Sequence, residues 1–304
     1  MGMPPDDSMG EMAAGGSTAD PPNADPADDG DPVDDGDPPD SGNPSALPPV
    51  TDYAEPGPFA PTTEANVGPG NNYTIVRPDA LGSDGFLHPP IIFGPGIATA
   101  PSFYSAFLEH LASHGFVIIV VNSLGGSPGS AGNVEAMQTG LEWLISQNDE
   151  AGIYQGALAV DRAVTMGYSL GATASVQLSS HEAIATTVAI HGHGTSGDPH
   201  GPVLLITGTD DVISSVRQTF STLEEAPAML VALPIGHLDV LAELAMLTQI
   251  SPSARYIAPI TAWLRYWING DEGAREFFAG TDCGMCASPW IAPETNAAWD
   301  ALAL

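Results

Sequence analysis

The chain has 304 residues, 37 of them acidic and 6 basic, giving a formal net charge of −31 and a pI near 4.1. The six basic residues are scattered arginines and there is no lysine, which excludes nucleic acid and anionic membranes as partners because phosphate binding needs clustered cations. Apolar runs such as Phe116 to Val121 fall far short of the roughly 20 residues that cross a bilayer, so no transmembrane segment is expected.

The first 50 residues hold twelve Asp or Glu, eleven Pro and no Lys or Arg. Such a stretch cannot bury enough apolar surface to offset the entropy of ordering it. Residues 1–52 therefore read as a disordered acidic tail or linker, and residues 53–304 as one folded domain. The near-repeat from Asp28 to Pro39 repels itself and stays extended, as a spacer or as a solvated tail that serves solubility alone. Met1 to Asp7 has neither the basic start nor the apolar stretch of a signal peptide. The expectation is a secreted or surface-tethered protein from which a signal segment is missing.

From Tyr73 onward short β-branched runs alternate with longer amphipathic stretches, the pattern of βα units on a largely parallel sheet. In chain order the predicted elements are a strand at Tyr73–Arg77, a strand at Ile91–Phe93, a helix at Ser102–Ser113, a strand at Phe116–Asn122 and a helix at Val134–Gln147. Then come a strand at Ala163–Gly167, a helix at Leu170–Ser179, strands at Thr187–His191 and Val203–Thr207, and a helix at Val216–Glu224. A strand at Met229–Leu233 and helices at Leu238–Leu247 and Ser253–Asn269 complete the set. Several strands are apolar throughout, as they are when helices cover both faces. In the last helix Ile257, Ile260, Leu264 and Trp267 form one apolar stripe for the sheet. The fold class is α/β, in three layers.

Gly-x-Ser-x-Gly occurs twice. Gly125 to Gly129, around Ser127, enters a loop with Pro128 directly after the serine. Gly167 to Gly171, around Ser169, is preceded by a strand and followed at once by a helix, the order a nucleophile elbow requires. The serine there sits on a sharp, strained turn, so the flanking positions must be glycine, and the helix start supplies a free N–H on Leu170.

A serine hydroxyl needs a base, and in this arrangement the acid and the histidine follow it in that order. His191, His193, His200 and His237 lie beyond Ser169, and only His237 stands in the loop after Met229–Leu233. The strand from Pro202 to Thr207 runs into Asp210 and Asp211, at the carboxyl end where sites of open α/β sheets form. One of the two is the triad acid, steadying the imidazolium while His237 shuttles the proton; the other caps a helix or faces water. Gly94-Pro95-Gly96-Ile97 follows Ile91–Phe93, and the N–H groups of Ile97 and Leu170 are the expected oxyanion donors. His88 and His110 read as structural. His191, His193 and His200 offer a metal alternative, which lacks a nominated further ligand. Cys283 and Cys286 are the only cysteines, in a Cys-x-x-Cys without the context of a redox or zinc motif. They read as a local disulfide clip in a secreted protein.

These residues resemble the bacterial cutinase and polyester (PET) hydrolase family of secreted α/β-hydrolases. The likeness runs from about Gly57 to Cys283. Its anchors are Gly57-Pro58-Phe59, Thr74 to Pro78, Gly94-Pro95-Gly96, Leu111 to Val117, Met166 to Gly171, Asp211-Val212-Ile213, Gly236-His237, Trp263-Leu264-Arg265 and Phe277-Phe278. The spacing from Pro202 resembles that family's spacing to its catalytic aspartate, which selects Asp211. The resemblance implies an α/β-hydrolase fold with a mostly parallel central sheet, flanking helices and no large lid. It further implies hydrolysis of esters, polymeric or lipid, through an acyl-enzyme in a shallow groove and without a cofactor; a monomer with no metal site is the accompanying expectation. Ile97 and Leu170 stand where the family carries an aromatic residue and Met, and His191-Gly192-His193-Gly194 replaces its Pro-Trp. With the aromatic clamp missing, aliphatic esters are expected ahead of aromatic polyesters, and Ile97 and His193 are the expected substrate contacts. The alternatives are a small-molecule esterase, chlorophyllase-like or acetylhydrolase-like, and a catalytically silent surface-tethered binding module.

Overall fold

A computed structural model describes residues 47–245 and 254–304, all within one unit, Gly42–Leu304. Its strands are β1 (Pro61–Val67), β2 (Tyr73–Pro78), β3 (Pro90–Gly94), β4 (Val117–Val121), β5 (Ala163–Tyr168), β6 (Ile184–Ile190), β7 (Val203–Gly208), β8 (Ala228–Leu233) and β9 (Ile291–Thr295). They form one sheet in the order β1-β2-β4-β3-β5-β6-β7-β8-β9. Strands β3 to β8 are mutually parallel, and antiparallel pairs occur only toward the edges, at β1–β2, β2–β4 and β8–β9.

The helices are α1 (Ser105–Ser113), α2 (Ala131–Ser146), α3 (Leu170–Leu178), α4 (Ile213–Phe220), α5 (Asp239–Ala245), α6 (Ala254–Asn269) and α7 (Ala297–Asp300). Because side chains alternate along a strand, Ile91 and Phe93 pack on one face with Leu111 of α1, Val240 of α5 and Ile260 of α6, while Ile92 packs on the other with Leu141 of α2. Helices α3 and α4 cover the rest of that second face, through Val176 and Val216 against Leu205. The result is an α/β domain of three layers with a mostly parallel sheet. No helix among the described residues is long and apolar enough to cross a membrane. Cys283 and Cys286 form a disulfide with a Cα–Cα separation of 5.1 Å.

Several expectations need correction. Strands β1 and β9 were not anticipated. Strand β1 is a polar edge strand, and β9 carries Pro293 at a register shift between Leu230 and Ala232 of β8, where a residue without an N–H is tolerated. The first expected helix divides into a 3-10 turn at Pro101–Tyr104 and α1. Helix α4 starts at Ile213 and ends at Phe220, ahead of the expected Val216–Glu224. The ends expected at Leu247 and Ser253 lie outside the described residues, as does the tail from Asp28 to Pro39.

The expected boundary after residue 52 falls within packed chain, since Leu47 is buried and the Pro48 carbonyl accepts a 2.6 Å hydrogen bond from Arg265 Nη2. Arg265 is itself buried and pairs with Asp271 at 2.8 Å. This N-terminal segment also lays Tyr53 against Ala258 and Ala262 of α6. Helix α6 is consequently buried on more than its sheet-facing stripe, and Trp263 is fully covered while Trp267 is only partly so.

Candidate active site

The turn from β5 into α3 holds Ser169 at φ 56° and ψ −114°, a conformation that costs a non-glycine residue roughly 1–3 kcal/mol and persists only where its surroundings impose it. Here they do. A Cβ on Gly167 would stand 2.4 Å from the Gly171 carbonyl carbon, and one on Gly94 would stand 2.6 Å from the Gly171 Cα. The glycines of the motif and Gly94 at the end of β3 thus let three backbone segments close on one another, and the Ser169 N–H bonds the Ile190 carbonyl at 3.0 Å.

Ser169 Oγ lies 2.9 Å from His237 Nε2, and His237 Nδ1 lies 2.8 Å from Asp211 Oδ2. Asp211 follows β7, and its N–H closes a turn onto the Gly208 carbonyl at 3.3 Å. Asp210 is exposed, with its carboxylate 3.5 Å from the Thr209 hydroxyl. His237 follows β8 in a loop fixed from two sides: Tyr168 donates its hydroxyl to the His237 carbonyl at 2.6 Å, and the Gly236 N–H bonds Asp239 Oδ2 at 2.8 Å. Ser169 is 4% exposed, whereas 28% of the His237 side chain is open to solvent. Burial would raise the Asp211 carboxyl, yet hydrogen bonds from His191 and His237 hold it down at about 2, so it is ionised at any working pH.

Ile97 and Leu170 flank the serine. Leu170 opens α3, where an N–H has no acceptor one turn back. Gly96, the residue before Ile97, lies against Ser169: a Cβ on Gly96 would be 3.5 Å from the serine Cβ. Three groups pin this loop. The Gly96 N–H bonds the Tyr104 hydroxyl at 3.0 Å, the Thr99 hydroxyl donates to the Gly96 carbonyl at 2.7 Å, and the Gly171 N–H bonds the Pro95 carbonyl at 3.2 Å. Ile97 and Leu238 are 58% and 73% exposed, the first following the glycine that lies against Ser169 and the second following His237.

His193 is half-buried with its ring centroid 5.9 Å from that of His237, and its N–H bonds the Thr173 hydroxyl of α3 at 2.9 Å. His200 lies elsewhere, bonding the Ser180 carbonyl at 2.7 Å, so the metal alternative of His191, His193 and His200 is not brought together. His191, Asp211 and His237 do bring donor atoms within 4.8 Å of one another. The two imidazole nitrogens, however, stand only 2.6 and 2.8 Å from one carboxylate oxygen. Ligands of a tetrahedral zinc, each about 2.0–2.2 Å from it, would be about 3.3 Å apart. These three groups are spaced as two donors sharing an acceptor.

The other Gly-x-Ser-x-Gly is a surface turn between β4 and α2, with Ser127 exposed and its carbonyl accepting from the Ser130 N–H at 3.1 Å. His88 and His110 are buried and bond backbone carbonyls, of Gly115 and Tyr53. Sequence reasoning missed Tyr168, Tyr104 and Thr99 as loop holders, and it missed His191 as a partner of Asp211. Tyr168 stood inside the motif and was readable; the others act through contacts that no local pattern announces. No protein-family model matches the sequence, and no curated protein matches it.

Proposed function

We propose that this protein is a serine carboxylic-ester hydrolase of the α/β-hydrolase fold, resembling cutinases and polyester hydrolases. The observation that carries the proposal is the hydrogen-bonded chain Ser169–His237–Asp211, with separations of 2.9 and 2.8 Å, on loops after β5, β8 and β7 of a mostly parallel sheet. Serine, acid and histidine also follow one another along the chain in the order of that fold.

Ser169 Oγ attacks the ester carbonyl carbon while its proton passes to His237 Nε2, and the imidazolium is steadied by the Asp211 carboxylate. The Leu170 and Ile97 N–H groups are the proposed donors to the oxyanion that forms, each contributing about 3 kcal/mol to the transition state. As the tetrahedral species collapses, the C–O bond to the alcohol breaks and His237 returns its proton to the leaving oxygen. Water, deprotonated by His237, then releases the acid and regenerates Ser169.

The substrate side is uncharged and aliphatic. A net charge of −31 disfavours anionic esters, exposed Ile97 and Leu238 offer apolar contact, and Ile97 and the stretch His191-Gly192-His193-Gly194 stand where the cutinase and polyester hydrolase family carries its aromatic clamp. The disulfide accords with an oxidising, extracellular setting. The test is turnover of tributyrin, polycaprolactone, PET and short soluble esters by wild type and Ser169→Ala. Turnover of tributyrin and polycaprolactone that disappears in the variant supports a polyesterase or lipase. Activity confined to short esters indicates a small-molecule esterase, and no serine-dependent turnover at all refutes the proposal.

A further inference from the structure

We propose that His191 is a positioning residue of the triad: its Nδ1–H, bonded to the same Asp211 oxygen that receives His237, holds that carboxylate in place and shares its negative charge. This rests on the ester-hydrolase proposal above.

Asp211 Oδ2 lies 2.6 Å from His191 Nδ1 and 2.8 Å from His237 Nδ1. One oxygen therefore accepts two imidazole protons, and the rings approach edge to face with centroids 5.9 Å apart. His191 is fully buried just past the end of β6, at a φ of 52°. Only a few per cent of residues with a side chain take such a φ. Holding the ring there gives it access to the loops after β7 and β8 at once. Its far nitrogen, Nε2, is 2.9 Å from the Tyr256 hydroxyl of α6. A tyrosine O–H donating to Nε2 leaves the proton of a neutral ring on Nδ1, where it faces Asp211.

The charged and titratable groups facing this imidazole are Asp211 on the β7 loop, His237 on the β8 loop, Asp239 of α5, Tyr168 of β5 and Tyr256 of α6; His193 faces His237 from the β6 loop. Burial lowers the affinity of His191 for a second proton more than Asp211 raises it. His191 is thus a fixed neutral donor. With no exposure to solvent and both nitrogens engaged, it does not reach substrate and acts only through Asp211.

Two consequences distinguish this from a ring that merely fills space. Removing the Nδ1–H frees the carboxylate to rotate, which slows proton transfer without weakening substrate binding. It also leaves the whole carboxylate charge to His237, stabilising the imidazolium and moving the acid limb of the kcat/KM profile to higher pH.

The experiment compares wild type, His191→Ala, His191→Asn and His191→Gln on p-nitrophenyl butyrate from pH 4 to pH 9, with active sites counted by a fluorophosphonate titrant. Per active site, His191→Ala and His191→Gln are expected to lose about tenfold or more in kcat with KM nearly constant, and to shift the acid limb upward by about half a pH unit. His191→Asn, whose amide nitrogen falls near Nδ1 and which tolerates a positive φ, restores most of both. Unchanged kcat and pH limb in His191→Gln, or an equal loss in His191→Asn and His191→Gln, overturns the proposal. A readout on wild type covers variants that fail to fold. Imidazole nitrogen NMR at pH 7 should show hydrogen-bonded Nδ1–H protons on both His191 and His237, besides the one that His88 donates to the Gly115 carbonyl, and a His191 protonated on Nε2 instead contradicts the inference. If wild type does not react with the titrant, it is the ester-hydrolase proposal that fails, whatever the state of His191.

Discussion

Gly94 and Gly171 meet backbone to backbone: a Cβ on Gly171 would stand 1.8 Å from the Gly94 carbonyl oxygen. No rotamer relieves a clash with a carbonyl, so the chain must move there and the serine turn moves with it. Gly171→Ala is expected to cost at least about 3 kcal/mol in denaturant unfolding and to abolish ester turnover. Gly125→Ala, in the other copy of the motif, has nothing within 4 Å of the new methyl and should stay within about 0.5 kcal/mol of wild type with full activity.

The adjacent acids separate the same way. Asp211→Asn removes the negative charge that His237 and His191 share and puts an N–H donor in place of one oxygen, and should lower kcat by about a thousandfold or more. Asp210→Asn, at an exposed carboxylate that meets the hydroxyl of its neighbour Thr209, should leave kcat within about twofold. Steady-state kinetics on a soluble ester decide this, and equal losses would show that the acid is misassigned.

Tyr168 supports the histidine loop through a hydroxyl 2.6 Å from the His237 carbonyl. Tyr168→Phe keeps the buried ring and removes only that bond, which is worth about 1 kcal/mol. The expected result is a fall of about 3- to 10-fold in kcat with KM unchanged. A rise in KM with kcat intact would place Tyr168 in substrate binding instead.

Stability should depend on pH through a histidine pair far along the chain from the triad. His110 of α1 and His114 just past its end face each other, tilted by 45° with ring centroids 4.6 Å apart, and donate from Nε2 to the Tyr53 and Glu55 carbonyls. Burial pushes both down from 6.5 to about 4. Between those values the unfolded chain binds protons that the folded chain does not, so stability is full above about pH 6.5 and falls as pH drops toward 4, by up to about 3 kcal/mol per ring. Asp211 acts in the same direction lower down, losing its contribution as pH falls from 3.8 to about 2. Melting temperatures from pH 7 to pH 4.5 should decline in wild type and decline less in a His110→Gln/His114→Gln variant; parallel curves would contradict this.

The site was legible where local sequence dictates backbone. Glycines two residues either side of Ser169, with an apolar strand before and a helix after, specify an elbow in any surroundings, and the same test set Ser127 aside. The choice between Asp210 and Asp211 was not local. Both sit in one strand-end turn, and the turn's bonds, Asp210 N–H to Ile235 and Asp211 N–H to Gly208, direct their side chains differently. His191 was opaque for a related reason, since its partners lie 20 and 65 residues away and meet it only when β6, β7 and α6 are assembled. Strands β1 and β9 escaped because edge strands need only one buried face and tolerate proline and polar residues, so neither carries the apolar run that marked the central strands.

Covalent labelling of the intact protein with a fluorophosphonate, read by mass spectrometry, bears most directly on the hydrogen-bonded serine. One adduct per chain, mapped to Ser169 and lost in both Ser169→Ala and His237→Ala, is the predicted result. A folded wild type that takes up no label, or whose adduct maps to Ser127, would contradict the account.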